Sequence, residues 1–152
     1  MVDTTLDTLR QSTGSSVAID DEGRAIVGLT LFKDMNEPGA IGQVRIFGPG
    51  GEQEGMPPPL NLAGTIVPPL DVAWIPAGYF VLASARTIPD KPQASEFFVQ
   101  AYRPGEGTPL WAYAQAEGVG LHLARTLTFV PGIVVAGGIG GAGFPTLAFL
   151  FG

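Results

Sequence analysis

The sequence predicts an all-β fold, a single domain over residues 1–152, and three observations carry that expectation. Apolar residues make up 45% of the chain and charged ones only 14%. Soluble domains are usually roughly 25% charged, so this chain has ample apolar surface to bury and little tendency to disorder. Next, 22 Gly and 14 Pro would interrupt any long helix and suit short strands joined by tight turns. Finally, segments of the chain return at a spacing of 55 residues, and fixed-period self-similarity marks a repeat architecture.

The elements follow in order. The first hairpin is VAIDDEGRAIVGLT, residues 17–30, in which Val17, Ala18, Gly23, Ile26 and Val27 return as Val72, Ala73, Gly78, Val81 and Leu82. A third strand and its exit follow in QVRIFGPGGEQ, where Val44, Phe47, Pro49 and Gly50 return as Val99, Tyr102, Pro104 and Gly105. The last copy is shorter. LTFVPGIVVAG places Gly132 54 residues after Gly78, and TLAFLFG sets Phe151 against Phe47 and Tyr102. Each unit thus reads as strand, tight turn with Gly, strand, longer loop, strand, Pro-Gly turn and a short fourth strand. The turn Gly supplies the positive φ that three- and four-residue hairpin loops need. The aromatics at 47, 102 and 151 are expected to fill space between sheets.

The units fall at about 11–64, 65–118 and 119–152, giving three antiparallel four-stranded sheets. The third unit lacks a fourth strand of its own, and TTLDTLR within residues 1–10 is expected to complete it, closing the ring and hiding both edges. Deleting residues 1–10 is then expected to cripple folding or solubility.

The pattern V-A, four residues, G, apolar pairs, then V-x-x-aromatic-x-P-G resembles the blades of bacterial β-propeller repeats over about residues 15–152. The resemblance implies four-stranded blades and binding rather than catalysis. Propellers have about 4–8 blades, and three units are visible here. Closure within one chain is the preferred reading, with half of a six-bladed dimeric propeller, a β-prism and a β-trefoil as alternatives.

Function classes narrow by exclusion. The net charge of −6 comes with no basic stripe, so nucleic acid is a poor partner. Without Cys there are no disulfides, thiolates or Cys-based zinc sites. The N-terminus lacks the basic and apolar regions of a signal peptide, so synthesis is expected in the cytoplasm unless a leader has been removed. Gly138, Gly140 and Gly143 satisfy G-x-G-x-x-G, yet no helix, second parallel strand or acidic residue can follow as a dinucleotide site requires. Residues 126–152 carry no charge, but Pro131, Pro145 and the glycines weaken a membrane helix, and a buried third sheet is preferred. The acidic turn DDEG, residues 20–23, reads as a solvated hairpin rather than a calcium loop, since the equivalent turns IPAG and FVPG have no acids. The lone His122 has no triad or metal partners around it in sequence. No cofactor or metal is expected.

Trp74, Tyr79, Trp111 and Tyr113 could stack on sugar rings, although packing between sheets is the commoner fate of strand aromatics. The repeated positions are Gly, Pro and apolar, while Ser16, Asp71 and Arg125, at one register, differ completely. The Pro-rich connector 55–70 is expected to run extended along an edge or reach a neighbour as an arm. The expected function is a non-enzymatic structural or adhesive module, a homo-oligomer or part of a larger assembly such as a capsid-decorating protein on a virion. The alternative is a carbohydrate-binding, propeller-like lectin with a glycan held between units.

Overall fold

The computed structural model describes residues 11–32, 40–52, 71–88, 90–115, 120–140 and 145–151. Among these residues the chain forms strands β1 (Gln11–Ile19), β2 (Ala25–Phe32), β3 (Ala40–Phe47), β4 (Asp71–Ile75), β5 (Tyr79–Ile88), β6 (Lys91–Tyr102), β7 (Trp111–Gln115), β8 (Leu123–Val130), β9 (Ile133–Ile139) and β10 (Pro145–Phe151), and no helix. They make three antiparallel sheets: β1-β2-β3, β4-β5-β6-β7 and β8-β9-β10. Every neighbour within a sheet is the next strand in sequence, as short connections favour.

Two hairpins have the same geometry at a constant offset. In the first, Ala18 faces Ile26 and Ile19 faces Ala25; in the second, Ala73 faces Val81 and Trp74 faces Phe80. Gly23 N–H donates to the Asp20 carbonyl and Gly78 N–H to that of Ile75, both at 3.0 Å, and the two glycines have φ of 81° and 86°. The third hairpin is one residue tighter, since Val130 faces Ile133 across Pro131 and Gly132. The 54-residue offset therefore begins inside that turn, and positions before it keep the offset of 55. This moves two sequence alignments. The third-sheet partner of Ser16 and Asp71 is Thr126 rather than Arg125, because Ser16 faces Gly28, Asp71 faces Ala83 and Thr126 faces Gly137. Arg125 is the extra residue of a bulge, as Ser15 is in β1. Likewise Ala25 faces Phe47 and Phe80 faces Tyr102, but the residue two beyond Gly132 faces Leu150, not Phe151.

The Pro-Gly exits also differ. After β3, Gly51 N–H bonds the Gly48 carbonyl and it is Gly51, at φ 83°, that turns left-handed. After β6, Glu106 N–H bonds the Arg103 carbonyl with Gly105 at φ 80°, a type II arrangement with Pro104 and Gly105 in the central positions. The same dipeptide makes two different turns.

The second sheet lies between the other two and is apolar on both sides. Because side chains alternate along a strand, Phe80 and Leu82 of β5 join Ile26, Val44, Ile46, Val72 and Tyr102 in a core shared with the first sheet. Val81 and Ala83, from the same strand, join Phe97, Val99, Ala101, Val134, Ala136 and Ala148 in a core shared with the third. Residues 80–85 are buried without a break, as expected of a strand covered on both faces. Of the three four-stranded sheets expected, the second has its four strands among the described residues and the first and third have three there; the segments expected to supply their fourth strands fall outside the described residues. Among the described residues the first and third sheets exchange no strand and share no core, so they are not closed upon each other there, because the two-sided second sheet separates them. The expected pairing of residues 1–10, and the Pro-rich connector 55–70, fall outside the described residues.

Candidate functional site

The four aromatics singled out as sugar platforms do not share a surface. Trp74 sits opposite Phe80 on the side of the second sheet that meets the first sheet. Tyr79, Trp111 and Tyr113 pack on the other side, against the core shared with the third sheet. The face of Trp74 is already covered, with the Arg24 guanidinium carbon 4.9 Å from its ring centroid, a cation–π contact. Arg24 is held there by Asp20: its Nε donates to Oδ2 at 2.7 Å, and the backbone N–H groups of Arg24 and Glu22 donate to Oδ1 at 2.7 and 3.0 Å. Burial pushes the Asp20 pKa up, but the bonds and charge of Arg24 outweigh it and leave the carboxyl below its usual value. A lowered folded pKa means that this stabilisation is in place above the unfolded carboxylate value of about 3.9 and is lost as pH falls through the folded one. The acidic turn thus spends its inner carboxylate on an internal clasp. Among the described residues no three His, Asp or Glu side chains come together as a metal would need.

Tyr113 Oη donates to Gln115 Oε1 at 2.9 Å, and Trp111 stands opposite Ala101. Tyr79 lines an apolar cavity of about 120 Å³ together with Ile75, Phe129 and Ile133, well under the 300–1,000 Å³ typical of small-molecule pockets. Tyr102, stacked on Phe80 at 5.9 Å between centroids, bonds Gln100, and burial pushes its pKa up to about 12.

His122 is buried at a crossover. Its backbone N–H donates to Ser95 Oγ and its carbonyl accepts from that hydroxyl, each at 2.9 Å, so Ser95 is committed to holding the segment between β7 and β8. Gly138 lies inside β9, facing Ala124 and Thr146. A Cβ there would run into the Leu123 carbonyl and the Phe97 ring, so close packing accounts for this glycine of the G-x-G-x-x-G run; Gly143 falls outside the described residues. Among the described residues no helix is long and apolar enough to cross a membrane.

The polar group that sequence reasoning passed over is Asp71. Oδ1 accepts the Ser16 hydroxyl at 2.6 Å and the Val72 N–H at 2.9 Å, while Oδ2 accepts the Leu127 N–H at 2.7 Å. Val72 N–H also reaches Ser16 Oγ at 3.1 Å. One side chain therefore ties the first strands of all three sheets. Part of the signal was present, since Ser16 and Asp71 are 55 residues apart, the spacing of the recurring segments, while Leu127, a further 56 on, is the residue after the third position of that register.

Fold and side-chain arrangement together define an all-β protein of three antiparallel sheets, stacked by apolar faces and pinned by a shared carboxylate. Compared with family models, curated proteins and solved structures, the chain matches none of them.

Proposed function

We propose that this chain is a non-enzymatic structural or adhesive β-module that works through its sheet faces, assembling with copies of itself or coating a larger particle such as a virion or capsid. The observation that carries the reading is the exposure of apolar rows on the two outermost faces. Val17 and Ile19 on the first sheet are 61% and 67% exposed, and Leu147 and Phe149 on the third are 65% and 60% exposed. Rows of this kind mark association surfaces. The polar residues that sequence reasoning could have given to chemistry are engaged in structure: Asp20 on Arg24, Asp71 on three strands, Ser95 on His122. A sugar-binding role has less support from the geometry, since Trp74 is covered by Arg24 and lies across the sheet from the other three aromatics.

Sedimentation of the purified chain tests the reading. At micromolar concentration we expect a multimer, with Leu147→Asp and Phe149→Asp lowering its mass while the β-sheet circular dichroism stays unchanged. A monomer at every concentration, equally indifferent to these changes and to Val17→Asp, overturns it.

A further inference from the structure

We propose that the outer face of the third sheet docks on the outer face of the first sheet of a second copy, so that two chains close head-to-tail into a ring of six sheets. This deepens the assembly reading above and rests on it.

The argument is one of face identity. On the side where the first sheet meets the second, it presents Ile26, Val44 and Ile46. Fifty-five residues on, Val81, Val99 and Ala101 are what the second sheet presents to the third. The same register positions in the third sheet are Val135, Leu147 and Phe149, because Val135 faces Phe149 as Val81 faces Ala101 and Ile26 faces Ile46. These residues point away from Val134, Ala136 and Ala148, which fill the core, and Leu147 and Phe149 are exposed.

The receiving side repeats in the same way. The second sheet receives the first with Val72, Phe80, Leu82 and Tyr102, joined by Trp74. Counted back 55 residues, these are Val17, Ala25, Val27 and Phe47, joined by Ile19: the first sheet's own outer face, with Val17 and Ile19 exposed. Each internal interface thus joins a presenting face to a receiving face, and one of each type is left over at opposite ends of the stack. Among the described residues, the β9 and β10 positions that alternate with Val135, Leu147 and Phe149 carry no charge, and the β1, β2 and β3 positions that alternate with Val17, Val27 and Phe47 carry Arg45, which is buried and bonded through Nε to Gln43 at 3.0 Å.

Its own first sheet is not the occupant, since the second sheet stands between. A second copy offers the matching face at both ends at once. Heterologous contacts generate rings when their rotation closes, and two copies of three sheets give six, within the 4–8 range of closed radial β-architectures.

The chain has no Cys, so engineered thiols are the only ones present. Ile46 and Val72 share the first core, and their counterparts across the proposed contact are Phe149 and Val17. Val17→Cys and Phe149→Cys proteins, each checked by circular dichroism, are treated with a short bifunctional thiol reagent. An equimolar mixture should give covalent dimer at least several-fold above either protein alone, and the double variant should give a doubly linked dimer. Self-linking by a single variant as strong as in the mixture would show like faces pairing and overturn the proposal. So would linkage of the double variant within one monomer, or a ladder of open chains. Absence of links with a multimeric native mass overturns this contact and leaves the assembly reading standing; a monomeric native mass overturns both.

Discussion

Asp71 is the residue on which the three sheets converge, and its energetics follow from what its carboxylate accepts. Hydrogen bonds to a charged group contribute about 1.5–3 kcal/mol, and a partner left without its acceptor adds its own desolvation cost. Asp71→Ala strands the Ser16 hydroxyl and the Leu127 N–H together, so we expect a loss of about 2–3 kcal/mol of unfolding free energy. Ser16→Ala removes a hydroxyl that donates to Oδ1 and accepts the Val72 N–H, and since Val72 N–H keeps Oδ1 as a partner it should cost less, about 1–2 kcal/mol. Because the two touch, the double variant should lose less than the sum, by about 1 kcal/mol. Urea denaturation of the four proteins checks this, and strict additivity would show that the bond carries no energy. In sequence the same position was visible as a column of unlike residues, which argued against a repeated site. Unlike residues at one register are what a shared contact needs: a hydroxyl gives, a carboxylate takes, and the third strand contributes a backbone N–H. Sequence alignment shows the column but not that Ser16 and Asp71 meet, nor that the third strand joins them through the N–H of the next residue, Leu127.

At the scale of elements, the tight turns were the most legible features, because a positive φ leaves a trace in residue type. Gly78 has φ 86° and nothing within 4 Å of an added Cβ, so its only demand is conformational. Gly78→Ala should therefore cost about 1–2 kcal/mol, the left-handed penalty of an L-residue, and Gly78→Asn less, since Asn tolerates that region. Gly138 is the opposite case. Its φ is not left-handed, but its Cβ position is taken by the Leu123 backbone and the Phe97 ring. Gly138→Ala must move a strand, which puts it at about 1–3 kcal/mol or more, and Asn should be worse than Ala there. Denaturation midpoints should thus rank Asn above Ala at 78 and Ala above Asn at 138; the same order at both sites would refute the distinction. Sequence reading gave Gly78 to a tight turn but weighed Gly138 as part of a G-x-G-x-x-G run, and missed that it is a packing residue within a strand. It also read the two Pro-Gly exits as one turn, because the dipeptide is compatible with more than one turn type and neighbouring bonds choose between them.

For the molecule as a whole, what the sequence left illegible is which face meets which. A run such as YFVLASA shows that β5 is buried on both sides, yet not that its two faces belong to different cores or that the sheets stack rather than close. The arrangement has a thermodynamic consequence. Phe80 and Leu82 serve the first core, Val81 and Ala83 the second, and all four hang on one strand whose register cannot slip for one face alone. Neither core can melt without releasing the strand that builds the other, so unfolding should be a single cooperative transition. The two Trp residues report on the cores separately: Trp74 packs on the first and Trp111 on the second. In single-Trp proteins made by Trp111→Phe or Trp74→Phe, fluorescence should give superimposable denaturation curves. Phe97, fully buried in the second core, supplies the perturbation. Phe97→Ala should cost about 3–5 kcal/mol by lost transfer energy and residual cavity, and it should move the Trp74 midpoint as far as that of Trp111, although Phe97 and Trp74 belong to different cores. A Trp111 transition that shifts alone, leaving the Trp74 curve in place, would mean that the second sheet can come apart one face at a time.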